Sequence, residues 1–127
     1  MPPIPSTRNN DYDYAAEART SSATPELLFN VLTYSGGCYK AKVYIAAVKQ
    51  SNGDCGGWEI SATFKNVAGV ATIVGEPTYV SEDRDDVTWE VTLSTSGNFL
   101  NVYITGATSS DILWRGDINI KRLQLIK

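Results

Sequence analysis

From about residue 25 onward, apolar and polar residues alternate with a period of two, the mark of strands with one face in a core and the other in solvent. "ELLFNVLTY" places Leu27, Phe29 and Val31 on one face. After the break at Ser35-Gly36-Gly37, "CYKAKVYIAAVK" puts Ala41, Val43, Ile45 and Ala47 on one side and Lys40, Lys42 and Tyr44 on the other. Asn52-Gly53 predicts a hairpin turn, because both residues tolerate positive φ, and "WEISATF" returns with Trp58, Ile60, Ala62 and Phe64 in phase. Folding about a two-residue turn pairs Ala47 with Trp58, Ile45 with Ile60, Val43 with Ala62 and Ala41 with Phe64 on one apolar face.

A second hairpin follows the same logic. "VTWEVTL" directs Val87, Trp89, Val91 and Leu93 inward, Ser96-Gly97 turns the chain, and "NFLNVYIT" brings back Leu100, Val102 and Ile104. The expected pairs are Leu93 with Leu100, Val91 with Val102 and Trp89 with Ile104. Between the hairpins, "GVATIVGEPTYV" reads as a strand broken near Gly75 and Pro77. "DILWRGDINIKRLQLIK" is one long strand, or two joined by a bulge where the inward phase slips from Ile112, Trp114, Ile118 and Ile120 to Leu123 and Leu125. Seven or eight short strands and no helical segment predict an all-β fold, a single antiparallel β-sandwich of jelly-roll-like form.

Residues 1–22 do not share this pattern. Three prolines in the first five positions, then Asn, Asp, Tyr and Ala, give almost no hydrophobic periodicity. The segment reads as an extended N-terminal arm on a β-sandwich domain of residues 23–127. Ile4, Tyr12 and Tyr14 are its candidate anchors on a partner, since aromatic rings supply contact area at low entropic cost.

Composition narrows the function. The chain has 127 residues, enough for one domain with a core of its own. A net charge of −3 makes it a poor phosphate binder, and no apolar run is long enough to span a membrane. Histidine is absent, which removes the commonest general base, the usual triads and most zinc sites. Neither nucleic acid, membrane nor cofactor is expected as a partner, and the chain is not expected to be an enzyme.

Most chemical candidates resolve into structure. Cys38 and Cys55 begin and end the first hairpin's outgoing arm, roughly 30 Å apart at about 3.3 Å per residue, so two free thiols are expected. "SEDRDD", residues 81–86, sets four carboxylates around Arg84. It lacks the alternating ligands of a calcium loop and reads as a solvated turn. Trp58, Trp89 and Trp114 are in phase with the core, which favours anchors over a sugar platform. Arg115-Gly116-Asp117 spells an adhesion tripeptide but lies within an alternating strand, not at a loop tip. Gly116 falls on the inward phase, where it should make room for a bulky neighbour such as Trp89. Lys40, Lys42, Tyr44 and Tyr103 are on outward phases and are candidate partner-binding residues.

Three stretches carry a family resemblance: "ATFKNVAGVATIVGEPT", "DDVTWEVTLSTSGNFLNVYITG" and "ILWRGDINI". Together they resemble a small β-module of tailed-bacteriophage virion proteins, found at the ends of tail-fibre chains and in capsid-associated proteins. The resemblance covers residues 58–120 and carries no catalytic motif. It implies a structural or adhesive role in a virion assembled in the host cytoplasm, and commonly a trimer. A short chain starting at Met, with an arm and no fibre shaft, suits a capsid decoration (cement) protein bound to the major capsid protein or other virion subunits. The alternative is a tail or fibre adhesive module binding host-surface glycan. A carboxylate-dependent glycan hydrolase is the third reading.

Overall fold

The chain forms eight strands, most of them along the alternating segments: β1 (Thr7–Thr20), β2 (Glu26–Leu32), β3 (Gly37–Lys49), β4 (Cys55–Val67), β5 (Val70–Arg84), β6 (Glu90–Ser96), β7 (Phe99–Thr105) and β8 (Ile112–Leu125). The computed structural model describes residues 7–125, with side chains from 12 to 124. The strands form two antiparallel sheets, one of five in the order β1-β8-β3-β4-β5 and one of three in the order β2-β7-β6. The inner faces meet as a β-sandwich. Val43, Ile60, Ile118 and Ile120 of the large sheet bury against Leu100, Val102 and Ile104 of the small one, all fully enclosed. Each such side chain contributes about 1.5–3 kcal/mol of transfer free energy. Trp114 is flanked by Trp58 and Trp89, with centroids 5.5 and 6.1 Å away. Its indole N–H donates to Thr20 Oγ1 at 2.9 Å. All three tryptophans are core residues.

Both predicted hairpins form with the expected faces inward, but each register is displaced by two residues. Ile45 faces Trp58, Val43 faces Ile60 and Ala41 faces Ala62. The turn is longer than two residues: Lys49 N–H donates to Asp54 O, and Gly53 N–H donates back to Lys49 O. Gly53 adopts φ 78°, while Asn52 Oδ1 accepts from Asp54 N–H. Asn52 thus holds the loop through its side chain. In the second hairpin Leu93 faces Val102 and Val91 faces Ile104. The two-residue turn there is Gly97-Asn98, with Gly97 at φ 56° in the first central position, where a positive φ is demanded. A displacement of two keeps every side chain on its face, so the core pattern survives it.

Other expectations are corrected. Leu27 is exposed because the β2–β7 register shifts between Leu27 and Phe29, turning Leu28 toward the core. Val87 lies in the loop before β6 and is exposed. β5 is not broken: Gly75, at φ 73°, Glu76 and Pro77 bulge opposite Ala62 and pairing resumes at Thr78. β8 runs without a bulge, so Leu123 faces solvent and Gln124 turns inward, where its Nε2 donates to Ser35 O at 2.6 Å. Residues 7–20, expected outside the sheet, form its edge strand and pair with β8 along their whole length. Tyr12, Ala16 and Ala18 pack against the core from that strand.

Candidate functional site

The outer face of the large sheet is largely polar, and cross-strand register sets its composition. One row reads Ala15, Asp117, Tyr44, Glu59 across β1, β8, β3 and β4; the next reads Asp13, Asn119, Lys42, Ser61. Tyr44 is 44% exposed and stands between two carboxylates. Asn119 Nδ2 donates to Asp13 Oδ1 at 2.6 Å. Asp13, Tyr44, Asp117 and Asn119 line an open groove of about 370 Å³. An exposed ring beside two carboxylates and an amide suits a polar partner rich in hydroxyl or amide groups. Lys40 continues the face, opposite Lys121 and with Nζ 3.2 Å from Thr63 Oγ1. Toward the other end, Ala46, Val48, Leu113 and the exposed Cys55 line a more apolar groove of about 690 Å³, bordered by the Arg115–Glu17 pair.

The candidate residues read from sequence do not form one surface. Lys40, Lys42 and Tyr44 are together on this face, as expected of their phase. Tyr103 is on the small sheet, paired with Leu27 and Thr92 on the opposite side of the sandwich. Tyr12 and Tyr14 lie on the inner phase of β1, their rings 6.0 Å apart, and Tyr14 also borders the Tyr44 groove. Ile4 lies outside the described residues. Asp13, Asp117 and Asn119 complete the Tyr44 groove, and only the outward phase of β8 hinted at two of them. No sequence signal announced that β1 and β3 would flank β8.

The other chemical candidates have structural roles. Arg115-Gly116-Asp117 is in mid-strand, with Arg115 Nη1 2.7 Å from Glu17 Oε1. Gly116 faces inward against Ile45, Leu28 and Phe29 rather than Trp89. Within "SEDRDD" the first four residues finish β5 and only Asp85 and Asp86 enter the loop. Asp85 Oδ2 accepts from Cys55 N–H at 2.9 Å, and Arg84 Nη1 donates to Trp89 O at 2.5 Å. Asp86 accepts from both the hydroxyl and the N–H of Thr88, which lowers its pKa. Among the described residues, no group of three or more His, Cys, Asp or Glu side chains could hold a metal ion. Cys38 and Cys55 are exposed and free, near opposite ends of the β3–β4 hairpin.

No protein-family model matches the sequence, and no curated protein matches it. Several solved structures are similar to it. One is the tailspike protein gp49 of Acinetobacter baumannii bacteriophage Fri1, described as a capsular polysaccharide depolymerase. The match has a TM-score of 0.51 and 9% identity, covering 98% of this chain and 20% of that one. The tailspike of Acinetobacter baumannii phage AM24 matches with TM-score 0.49 and 10% identity, over 87% of this chain and 26% of that one. The tailspike of Acinetobacter phage vB_ApiP_P1 matches at 0.36 and 13%, over 94% and 22%. The chain spans about a fifth to a quarter of the length of these tailspikes. At 9% identity the likeness to the Fri1 tailspike is one of fold.

Proposed function

We propose that this chain is a structural module of a bacteriophage particle, of the tail-spike or tail-fibre kind, presenting the outer face of its large sheet to a partner surface. The observation that carries the reading is the fold match to the Fri1 tailspike over 98% of the chain. The virion-module resemblance in residues 58–120 points the same way. The tail reading is preferred to capsid cement because Tyr12 and Tyr14, the proposed anchors of a cement arm, belong to an edge strand of the module's own sheet. Tyr44, Asp117 and Asn119 are the residues assigned to contact. Since the matched tailspike is described as acting on capsular polysaccharide, host-surface glycan is the partner class to test, by binding and not by turnover. Immunogold electron microscopy on purified particles tests the location. Label at the tail is expected; label over the capsid faces restores the cement reading; particles free of label end the virion reading.

A further inference from the structure

Charge in this molecule is sorted along the strand axis. Where β3 begins and β8 finishes, Lys40, Lys42, Lys65 and Lys121 share the outer face: Lys40 stands opposite Lys121, and Lys65 opposite Cys38. Arg122 is on the inner side of the same end. The far end carries more carboxylates than cations. Asp54, Asp83, Asp85, Asp86 and Glu90 stand there besides Glu17, Glu82 and Asp111, which are paired with Arg115, Arg84 and Arg19. Lys49 is the remaining cation of that end among the described residues. Asp83 pairs with Gly57, eight residues along β4 from Lys65, a span of about 26 Å at about 3.3 Å per residue. That exceeds three screening lengths at physiological salt, about 8 Å each, so the two ends do not neutralise one another within one molecule.

Arg122 adds a second observation. Its Nε and Nη2 donate to Gln124 Oε1 at 3.2 and 3.1 Å, and Nη1 reaches Tyr12 Oη at 3.4 Å. The guanidinium lies 4.7 Å from the centroid of the Tyr34 ring. All these partners are neutral. Arg19, Arg84 and Arg115 each meet a carboxylate, whereas among the described residues none reaches Arg122. The guanidinium is therefore held and half-buried, with three of its five N–H groups engaged by partners among the described residues and two left without one there. Tyr34, which is exposed, and Tyr12 stand at its flanks. Tyrosine and arginine together are the residue types that dominate protein interfaces.

We propose that the basic, tyrosine-flanked end of one copy receives the acidic end of the next, so that copies of this chain associate head to tail. Because the two surfaces lie at opposite ends, each contact leaves one basic and one acidic end open. Association therefore extends along the strand axis and does not close as a two-fold dimer. This does not depend on where in a particle the chain resides.

Sedimentation velocity on the purified chain tests it, at about 20 mM and about 500 mM salt, which bracket weak and strong screening. Two exposed-site variants are needed: Lys40→Glu with Lys65→Glu reverses the basic end, and Asp83→Lys with Glu90→Lys reverses the acidic end. Circular dichroism confirms that each is folded. At low salt the parent's mean mass should rise with concentration, and high salt should return it to monomer. Each variant alone should associate at least about tenfold more weakly, while their equimolar mixture, which restores opposite charges at the contact, should recover it. A parent that stays monomeric at low salt, or association that the reversals leave unchanged, overturns the proposal. So does a monomeric chain that binds polygalacturonate but not neutral dextran and loses this on Arg122→Gln, which would assign the basic end to an acidic glycan.

Discussion

Gly116 is the position where one methyl group should do the most measurable harm. It sits mid-strand on the inner face of β8, and a Cβ built there meets Ile45 Cγ1 at 3.0 Å, Leu28 Cδ2 at 3.0 Å and Phe29 Cε2 at 3.1 Å. Comfortable carbon contacts begin near 3.5 Å, so all three neighbours must yield at once. Ile45 belongs to the large sheet and Leu28 and Phe29 to the small one, so relief requires the layers to part locally. Overpacking of this kind costs about 1–3 kcal/mol, against which alanine recovers about 0.4–1 kcal/mol by restricting the unfolded chain. The expected balance for Gly116→Ala is a loss of roughly 0.5–2 kcal/mol. In a domain of this size that lowers Tm by roughly 2–8 °C. Urea titration followed by tryptophan fluorescence gives the difference directly, because the three tryptophans report core integrity. Leu28→Ala opens one side of the site, so Gly116→Ala should cost at least about 0.5 kcal/mol less in that background. A Gly116→Ala variant as stable as the parent, or an equal cost in both backgrounds, would refute the argument from close approach.

Two further outcomes test the core and its ionisation. Thr20→Val keeps the side-chain shape but removes the acceptor of the buried Trp114 indole N–H, and should destabilise by about 1–3 kcal/mol in thermal or urea unfolding, with Thr20→Ser milder. Burial raises the pKa of Tyr39 and of Tyr79 above the ordinary 10.0, with Glu82 and Glu90 adding to the rise at Tyr79. A raised folded-state pKa gives stability that is present below the unfolded value and lost as pH climbs through the folded one. Stability should therefore hold level up to about pH 10 and fall above it, and Tyr79→Phe should flatten part of that fall in an alkaline unfolding series.

Much of the sandwich was legible because its signal is local. A period of two assigns faces without knowledge of partners, and Ala41 through Ala47, Trp58 through Phe64 and Ile112 through Ile120 fell on the inner side as their spacing required. Turns were legible as positions but not as geometries. A two-residue and a four-residue loop can share the same Gly, and the choice between them depends on hydrogen bonds such as Asn52 Oδ1 to Asp54 N–H. That choice moved the first register by two; the second moved by two because its two-residue turn falls on Gly97-Asn98 instead of Ser96-Gly97, and both shifts left each face intact.

The composition of the outer surface was beyond the sequence. Asp13, Asp117, Tyr44 and Glu59 come from four strands lying between residues 13 and 117, and only the order β1-β8-β3-β4 makes them neighbours. Residues 7–20 illustrate the same limit. Their alternation is too weak to announce a strand, and they become one because β8 offers a full edge of unpaired N–H and C=O groups. Sequence alone determined most of the side chains that avoid water, because that preference belongs to each residue; Leu27, Val87, Leu123 and Gln124 depart from it where a register shift, a loop or an unbroken strand overrides the local pattern. Tertiary structure decided which exposed side chains share a surface, which end of the molecule is basic and which acidic, because strand order and register are set by contacts between segments far apart in the chain.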